Sequence, residues 1–571
     1  MRSALLPPTP YCTEEFTEQE TAILANYFTN VHGPVFAVVN LPEQVKGALF
    51  ARYSRSGKSL RRLFLDEFAD NVPTAPGSQL APGLERASQL FERAFIGYGD
   101  DSVAQLGGLH VACEQASNVL TKVIERGRLM SYLEQSTRYI DYSAPRQDGT
   151  WRYYAPPELG PALAEKYRAA LDAAFGDYKD LLSKMAVYYA KVFPRPADQE
   201  EGPWRRAVKA KALDTVRGTL PAATLSNVGV FGSAQAFEAL VLRMRSIGLP
   251  EAQSYSDMLL AELVKVAPDL MRRVDMADRG VATVAYLADK GAAMSALAAE
   301  LLGPGAPEAS PSGVSLVDWD PTAEDKLVAA ALYEVTHRSE AELRSLVSSL
   351  SQEDKARVLG AYTGERGDRR HKPGRAFEVP MYTFDVVCDY GVFRDLQRHR
   401  MATVDWQMLS PYLGYDVPQG LQEAGLESRF RAVMGRSEEA HDLLVAAGFT
   451  SQARYALSMA HKVRFKMTMN AREAMHVIEL RTSPQGHDGY RVLAQQMHDQ
   501  IATVAGHRAI AECMKFANHT RTAGAGAVQA PQQPGARGQG STGQPGHGVL
   551  NRIAAENRNA PALAEDRHLP R

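Results

Sequence analysis

Residues 125–139 read ERGRLMSYLEQSTRY, and residues 397–412 read QRHRMATVDWQMLSPY. Each stretch carries part of one pattern, in which two arginines flank a central residue and a serine follows after seven more. The first copy has both arginines and Ser136, but Gly127 stands at its centre. The second copy keeps a complete Arg-His-Arg triplet, but Met408 occupies the serine position. Two incomplete, complementary copies predict a duplicated fold that shares a single working site.

Composition excludes several classes of protein. The 571 residues are 45% hydrophobic and 23% charged, which is ordinary for a globular chain with room for two to four domains. The net charge of −2 provides no global basic field, so we expect neither nucleic acid nor a membrane as a partner. The first residues lack an apolar signal core, and no apolar run of about 18 residues predicts a transmembrane helix. We therefore expect a cytoplasmic protein.

The cysteines argue against cross-links and against cysteine-based metal binding. The four of them are far apart and form no Cys-x-x-Cys pair, at Cys12, Cys113, Cys388 and Cys513. This spacing is not that of a disulfide framework or of a cysteine-built zinc site, and we predict no metal site. A reducing cytoplasm is the simplest compartment for such a chain.

Shifts in composition divide the chain into four parts. Residues 303–320 are rich in Gly, Pro and Ser, which is typical of an interdomain linker. They separate an N-terminal part, 1–302, from a C-terminal part, 321–520. The last part, 521–571, is rich in Gly, Pro, Gln and Ala and has few large apolar residues. It cannot bury enough surface to offset its chain entropy, so we predict that it is disordered.

Periodicity predicts an α+β fold in which helices predominate. Apolar residues recur with the helical period of 3.6 in runs 85–133, 161–192, 205–216, 234–246, 251–272, 281–301, 322–350, 437–447 and 451–482. Two runs of β-branched and aromatic residues predict strands, at 34–39 and 380–388. The second of these leads into a helix that is predicted to end at the Arg-His-Arg triplet.

Arginines accumulate around both motifs. The guanidinium group suits planar, bidentate capture of phosphate or carboxylate, although a single arginine is most often a solvated surface group or half of an ion pair. A cluster at matched spacing is less easily explained in that way. Its members are Arg126, Arg128, Arg138, Arg217, Arg398, Arg400, Arg454, Arg472 and Arg481.

The segment after the first arginine pair offers three kinds of polar group at alternate positions, Glu134, Ser136 and Arg138. If the segment is extended or a loop, all three side chains can face one pocket. Alternatively, it is a helix-capping segment, because Ser and Thr near Glu also begin helices. Spacing alone leaves both interpretations open.

A predicted helix over 469–482 carries one apolar and two polar faces. At about 100° per residue, Ala471, Ala474, Met475 and Ile478 form an apolar stripe that should pack inward. Asn470 and Arg481 project to one side of the helix, whereas Arg472, His476 and Glu479 share another. The helix is either a plain surface helix or one that places its two polar faces against two ligands.

Together, these motifs resemble those of the flavin-dependent thymidylate synthase (ThyX) family, whose hallmark is Arg-His-Arg, seven residues, then Ser. The first copy is similar as RGRLMSYLEQSTRY, with Gly127 in place of histidine, and the second as RHR and as the later helix NAREAMHVIELR. Phe377-Glu378 resembles the Phe-Glu step that precedes the family motif. The resemblance covers residues 90–275 and 365–515. It implies two tandem ThyX-like domains that form a pseudodimer, the first with an N-terminal extension and an insertion.

The resemblance also implies one composite site. Family members build each site between subunits, and here the two repeats would replace the subunits. Nucleotide binding would fall to Glu134, Ser136, Arg138 and Arg217 from the first repeat and to Arg398 and Arg481 from the second. Flavin contacts would fall to Arg398, His399, Arg400, Asn470, Arg472 and His476. Arg481 and Ser136 would act most directly in catalysis, with Ser136 binding the nucleotide rather than attacking it.

The implied reaction methylates dUMP to dTMP, with FAD as cofactor, methylenetetrahydrofolate as one-carbon donor and NADPH as reductant. The implied assembly is a homodimer that resembles the family's tetramer. One departure is Asp395, which stands where the family commonly has Gln. Two alternatives follow from it and from Met408: a non-catalytic nucleotide-binding paralogue, and a flavin enzyme that acts on another pyrimidine nucleotide.

Overall fold

The computed structural model of the chain describes residues 14–33, 36–53, 56, 58–69, 105–137, 140–303, 310–484 and 486–520. Helices predominate, which confirms the α+β, helix-dominated class. The α-helices span Glu18–Leu24, Glu43–Tyr53, Leu60–Glu67, Asn118–Ile124, Pro161–Val192, Glu201–Val216, Ala234–Ser246, Pro250–Val266, Pro268–Met271, Ala282–Leu302, Ala323–Tyr333, Glu340–Ser349, Gln352–Thr363, Tyr390–Leu396, Gln419–Glu423, Glu427–Ala446, Thr450–Ala453, Ala471–Arg481, Asp488–Thr503 and Arg508–Cys513.

The strands form two small sheets. The first is three-stranded with the order β1-β3-β2, and the second is four-stranded with the order β4-β5-β7-β6. The strands are β1 (Gly108–Ser117), β2 (Met130–Glu134), β3 (Leu225–Ser233), β4 (Gly313–Trp319), β5 (Met381–Asp389), β6 (Thr403–Trp406) and β7 (Lys462–Asn470). No helix among the described residues has the length and apolar character needed to cross a bilayer.

The chain divides into two compact units, each built from separated segments. The first unit comprises Met1–Glu114, Val123–Leu133 and Val228–Pro304. Its helix Ala234–Ser246 buries side chains at every third or fourth position, including Phe237, Leu240, Val241 and Met244. This stripe is the apolar face predicted by periodicity, and it supplies part of that unit's core.

The second unit comprises Gln115–Lys122, Glu134–Asn227 and Gly305–Arg571. Its sheet is antiparallel throughout, and at its centre β5 and β7 pair with Phe384 opposite Met467 and Val386 opposite Phe465. These four side chains are buried. The second unit contains every residue of the candidate site described below.

Two strands of this sheet lead directly into the helices that carry the candidate site. Asp389 ends β5 and caps the helix Tyr390–Leu396, where its carboxylate accepts a hydrogen bond from the Val392 N–H at 2.9 Å. Asn470 ends β7 and caps the helix Ala471–Arg481, hereafter the site helix. Such caps satisfy N–H groups that the first helical turn leaves without partners.

The predicted helix over 451–482 is wrong in its middle part. Strand β7 occupies Lys462–Asn470, in the run KVRFKMTMN, where Val463, Phe465, Met467 and Met469 are buried and the residues between them are more exposed. This alternation has a period of two, and pairing with β5 on one side and β6 on the other selects it over the helical alternative. The apolar stripe predicted for the site helix is confirmed, because all four of its members are fully buried.

Other stretches also differ from the predictions. The described part of the predicted helix 85–133 contains β1 and β2, with a short helix between them; residues 85–104 lie outside the described residues. The predicted linker 303–320 contains β4, because Gly313–Trp319 pairs along β5. In the predicted strand at 34–39, Val38 makes only an isolated bridge with Phe28, and residues 34 and 35 lie outside the described residues. The predicted disordered tail, 521–571, also lies outside them.

Candidate functional site

Three arginines from separate parts of the chain converge on one carboxylate, that of Asp395. Arg398 Nη2 lies 2.7 Å from Asp395 Oδ1, Arg217 Nη2 lies 3.9 Å from Oδ2, and Arg481 Nη1 lies 3.9 Å from Oδ1. Arg481 Nη2 also donates a hydrogen bond to the Asp395 carbonyl oxygen. The structure therefore brings together one predicted residue of the first repeat and two of the second.

Local structure explains how these side chains reach one place. Asp395 and Arg398 are three residues apart at the end of the helix Tyr390–Leu396, a spacing that puts them on one face. Arg217 begins a 3-10 turn directly after the helix Glu201–Val216, and Arg481 is the last residue of the site helix. A Cβ atom at Gly391 would stand 3.0 Å from Asp389 Oδ1 and 3.8 Å from Arg217 Nε, so a larger residue there would crowd the capping carboxylate and touch the arginine.

The arginine cluster carries more positive charge than its carboxylates balance. Arg217 is 6% exposed, and among the described residues its Nη2 has no hydrogen-bond partner. Besides Asp395, it faces Asp214, with 3.6 Å between Arg217 Nε and Asp214 Oδ1. Burial lowers the pKa of Arg481, but guanidinium groups stay charged in proteins. A buried cation with unused donors is costly unless it is paired, so the cluster is suited to an anionic ligand.

Glu134, the last residue of β2, lies at the centre of a second charged cluster. Its carboxylate oxygens accept hydrogen bonds from Arg394 Nη2 at 2.6 Å and from Lys122 Nζ at 3.1 Å, and Arg398 Nη1 lies 4.0 Å away. Burial opposes ionisation of this carboxyl, but the positive charges of Arg394, Lys122 and Arg398 outweigh it and hold its pKa well below the usual range. Glu134 is therefore an ionised, buried carboxylate that is already bonded to two cations.

His399 joins the arginine cluster to the beginning of the site helix. Its Nε2 accepts a hydrogen bond from Arg481 Nε at 2.9 Å, and its Nδ1 lies 3.3 Å from Glu473 Oε1. The His476 ring packs against it with 5.5 Å between centroids. Burial, followed by the charges of Arg481 and Arg398, lowers the pKa of His399 well below its usual value, so the imidazole is neutral at pH 7.

The other predicted cofactor residues lie on or near the site helix. Asn470 Oδ1 accepts from the Glu473 N–H at 2.9 Å, and Arg472 Nε donates to the Pro373 carbonyl at 3.0 Å. Arg400 is exposed, and burial lowers the pKa of His476 to about 4. Ser136, a predicted nucleotide-binding residue, is in the turn after β2, where its carbonyl accepts a hydrogen bond from the Ile140 N–H. Arg138, also predicted to bind nucleotide, lies outside the described residues.

Sequence reasoning missed three residues of the site, Lys122, Arg394 and Glu473. Arg394 was open to detection, since it precedes the Arg-His-Arg triplet by one helical turn, the spacing of neighbours on a helix surface. Glu473 was open to detection for the same reason, because it precedes His476 by three residues on the site helix. Lys122 carried no signal, because its contact with Glu134 depends on tertiary structure.

The first arginine motif has a different environment, within the first unit. Arg126 and Arg128 are exposed and lie in the turn before β2. The Tyr132 hydroxyl donates to the Gly127 carbonyl at 3.0 Å, and a Cβ atom on Gly127 would stand 2.7 Å from that hydroxyl. A histidine at this position therefore has no room unless Tyr132 moves.

Comparison with known proteins gives a consistent family match. The family model described as thymidylate synthase complementing protein matches residues 54–269 and 315–506. Two separate matches confirm the predicted duplication. The chain is 33% identical over 518 residues to a UPF0159 protein of Chlamydia muridarum (strain MoPn / Nigg), covering 89% of this chain and 96% of that protein. It is 35% identical to a UPF0159 protein of Chlamydia pneumoniae, covering 84% and 91% of the two chains.

More distant similarities accompany these matches. A UPF0159 protein of Thermoplasma acidophilum is 28% identical over 498 residues, which cover 82% of this chain and 95% of that protein. Among solved structures, a UMP/dUMP methylase PolB from Streptomyces cacaoi bound with 5-Br dUMP is 21% identical and covers 36% of this chain and 97% of its own. The TM-score of that match is 0.30, which is too low a similarity to support a conclusion about this chain.

Proposed function

The chain belongs to the thymidylate synthase complementing protein family, and from that premise we propose that it is a flavin-dependent methyltransferase that converts dUMP to dTMP. FAD would be the cofactor, methylenetetrahydrofolate the one-carbon donor and NADPH the reductant. Nucleotide would bind at one composite site, built from the Glu134 segment and Arg217 of the first repeat and from Arg398 and Arg481 of the second.

The observation that supports this proposal most strongly is the arginine cluster around Asp395. A nucleotide monophosphate presents a dianion, and guanidinium groups bind phosphate oxygens through paired N–H donors. Arg217 has a buried, unused Nη2 among the described residues, and Arg398 is partly exposed, so both can turn donors toward an incoming phosphate. Asp395 and Asp214 reduce the positive charge of the cluster without cancelling it.

The side chains near the start of the site helix fit a flavin dinucleotide. Burial raises the pKa of the Glu473 carboxyl, and the charges of His476, Lys372, Arg472 and Arg400 act in the opposite direction. Cations of this kind would hold the pyrophosphate of FAD. The His476 imidazole is neutral at pH 7, so it can donate one hydrogen bond to a flavin ring or accept one from it. When bound, FAD supplies the hydride-transfer and one-carbon chemistry of the reaction.

The chain's own residues would bind the nucleotide and stabilise charge. Arg217 and Arg398 would hold the phosphate, and Ser136 and Arg138 would add further donors. Arg481 would stabilise negative charge that develops on the uracil ring, in a buried setting where such an interaction is stronger than in water. Glu134 would hold the Arg394 and Arg398 side chains in position through its carboxylate.

No cysteine nucleophile is needed for this reaction, and the described thiols are poorly suited to be one. Burial raises the pKa of Cys113 to about 11, and it raises the pKa of Cys388 well above its usual value. The pKa of the Cys513 thiol is also raised by burial. The thiolate is the reactive form of cysteine, so these three side chains are expected to be unreactive at pH 7.

The first experiment is spectroscopic and kinetic. Purified full-length protein should show flavin absorbance near one FAD per chain, and it should form dTMP from dUMP when given methylenetetrahydrofolate and NADPH. Binding of dUMP without turnover would instead support the non-catalytic paralogue. Turnover of UMP or a cytidine nucleotide, but not dUMP, would support action on another pyrimidine. A protein that takes up no added FAD would contradict the proposal.

Substitutions then test the composite site. Removing a charged hydrogen bond to a ligand costs about 1.5–3 kcal/mol, so Arg217→Ala and Arg481→Ala should each weaken dUMP binding by about tenfold or more. Ser136→Ala should also weaken it, by a smaller factor. Arg126→Ala is the matched control, because Arg126 is exposed and belongs to the other arginine motif. Equal losses in all four variants, measured by isothermal titration calorimetry, would refute the one-site arrangement.

A further inference from the structure

Both ring nitrogens of His399 face polar groups of the protein. Arginine can only donate hydrogen bonds, so the contact from Arg481 Nε at 2.9 Å requires an unprotonated His399 Nε2. A neutral imidazole carries one proton, which must then be on Nδ1. That nitrogen faces the Glu473 carboxylate at 3.3 Å. The identity of the donor thus fixes the tautomer.

We infer that Glu473 and His399 act as a relay that orients Arg481, with Glu473 as a positioning residue rather than a ligand contact. Glu473 sets the direction of the His399 ring, and the ring sets the direction of the guanidinium. The part of this inference that concerns nucleotide binding rests on the proposed function. The relay assigns His399 a role different from the flavin contact that its motif predicts.

The relay leaves part of the Arg481 guanidinium group available to a ligand. Its Nε is held by His399, and its Nη2 is held by the Asp395 carbonyl. The Tyr490 ring lies below the guanidinium, with 5.1 Å from Cζ to the ring centroid. Its Nη1 lies 3.9 Å from Asp395 Oδ1, beyond hydrogen-bond distance, and can donate to a ligand. Two fixed nitrogens and a supporting ring give the guanidinium a single orientation, which reduces the entropy that a ligand contact would cost.

The same side chains raise a competing possibility, a divalent cation. The ligand atoms of His399, Glu473 and His476 all lie within 4.8 Å of one another. A metal on His399 Nδ1 would require that nitrogen to be unprotonated, and the ring proton would then move to Nε2 and point at the Arg481 N–H. Two donors would face each other. The geometry therefore favours the relay over a metal centre.

The tautomer can be measured without any enzyme assay. The full chain is labelled with 15N at histidine, and a His399→Gln variant identifies the His399 signals. The relay predicts a neutral ring protonated on Nδ1 at pH 7, unchanged when Zn²⁺ is added. A ring protonated on Nε2, a doubly protonated ring, or Zn²⁺-dependent changes in these signals would each overturn it. This result stands whether or not the protein methylates dUMP.

Nucleotide affinity provides the second measurement. Glu473→Ala removes the carboxylate that faces His399 Nδ1, so Arg481 should lose its fixed orientation and dUMP should bind about tenfold more weakly, the size expected for one charge-assisted contact. Glu473→Gln keeps an oxygen acceptor and should remain within about threefold of the unsubstituted protein. A loss as large in Glu473→Gln as in Glu473→Ala would overturn the acceptor role.

Glu479→Gln is the matched control for this measurement. Glu479 is a buried glutamate on the same helix, but its oxygens pair with Arg366 at 2.6 Å, away from the relay. This variant should melt at a lower temperature while its dUMP affinity is unchanged. If Glu473→Ala behaves in the same way, with a lower melting temperature and unchanged affinity, Glu473 has only a structural role and the relay is refuted.

Discussion

Replacement of Glu134 by glutamine should destabilise the protein strongly, although the two side chains have nearly the same shape. The carboxylate is 2% exposed and bonded to Arg394 at 2.6 Å and to Lys122 at 3.1 Å. An amide cannot neutralise these cations, and its NH₂ group would face one of them. Removal of one partner from a buried ion pair typically costs about 3–5 kcal/mol, because it leaves buried charge uncompensated.

The lowered pKa of Glu134 acts in the same direction. Burial opposes ionisation of this carboxyl, but the charges of Arg394 and Lys122 outweigh it and hold the pKa below that of an unfolded glutamate, so ionisation stabilises the folded protein. Because the folded pKa is the lower one, this stability is fully present above the unfolded pKa and is lost as pH falls toward the folded value. The difference in free energy of unfolding between the unsubstituted protein and Glu134→Gln should stay constant from pH 7 to about pH 5 and become smaller below that.

Thermal unfolding monitored by circular dichroism measures this effect. At roughly 2 cal/mol/K per residue, a unit of roughly 300 residues should lose about 4–5 °C in melting temperature for 3 kcal/mol. Glu427→Gln is the control: Glu427 forms an exposed i,i+4 pair with Arg431, and its loss should change stability by less than about 0.5 kcal/mol. Melting of Glu134→Gln within a degree of the unsubstituted protein, or a difference that persists undiminished at pH 3, would refute the reasoning.

Two further substitutions test other parts of the description. Gly127→Ala should lower the free energy of unfolding by about 1 kcal/mol, because its Cβ would displace the Tyr132 hydroxyl from the Gly127 carbonyl. Adding Tyr132→Phe should recover most of that loss in the same melting assay. No recovery would contradict the steric explanation. Cys388→Ala should leave turnover of dUMP within about twofold, since the thiol is buried and its pKa is raised; complete loss of turnover in a folded variant would contradict that account.

The sequence predicted elements well where local pattern decides them. The helix Pro161–Val192 begins and ends at the predicted residues, and the site helix buries its predicted stripe. Strand β7 was mistaken for helix because its Lys, Arg and Met residues have good helix propensity, and only pairing with β5 and β6 selects the extended form. Local preference and tertiary pairing conflict there, and pairing decides.

For the site too, contacts that depend on tertiary structure could not be predicted from the sequence. The family resemblance predicted Arg217, Arg398 and Arg481 as parts of one site, and the structure gathers these three side chains around Asp395. Motif spacing could not identify Lys122 as a partner of Glu134, since that contact requires the fold. Nor could spacing show that His399 bonds to Arg481, because the two are 82 residues apart and their contact depends on where the site helix ends.

The Glu134 cluster also has a consequence for how the protein is made. Arg394 follows Glu134 by 260 residues, so at about 5–20 residues per second the ribosome needs about 13–52 s to supply the partner after Glu134 is synthesised. During that interval the nascent chain holds Glu134 and Lys122 without the arginine that completes their cluster. A chain that terminates early, or a gene cut between the repeats, would produce a protein in which Glu134 lacks Arg394. Its core could not form completely, so it would be a substrate for chaperones and quality-control proteases.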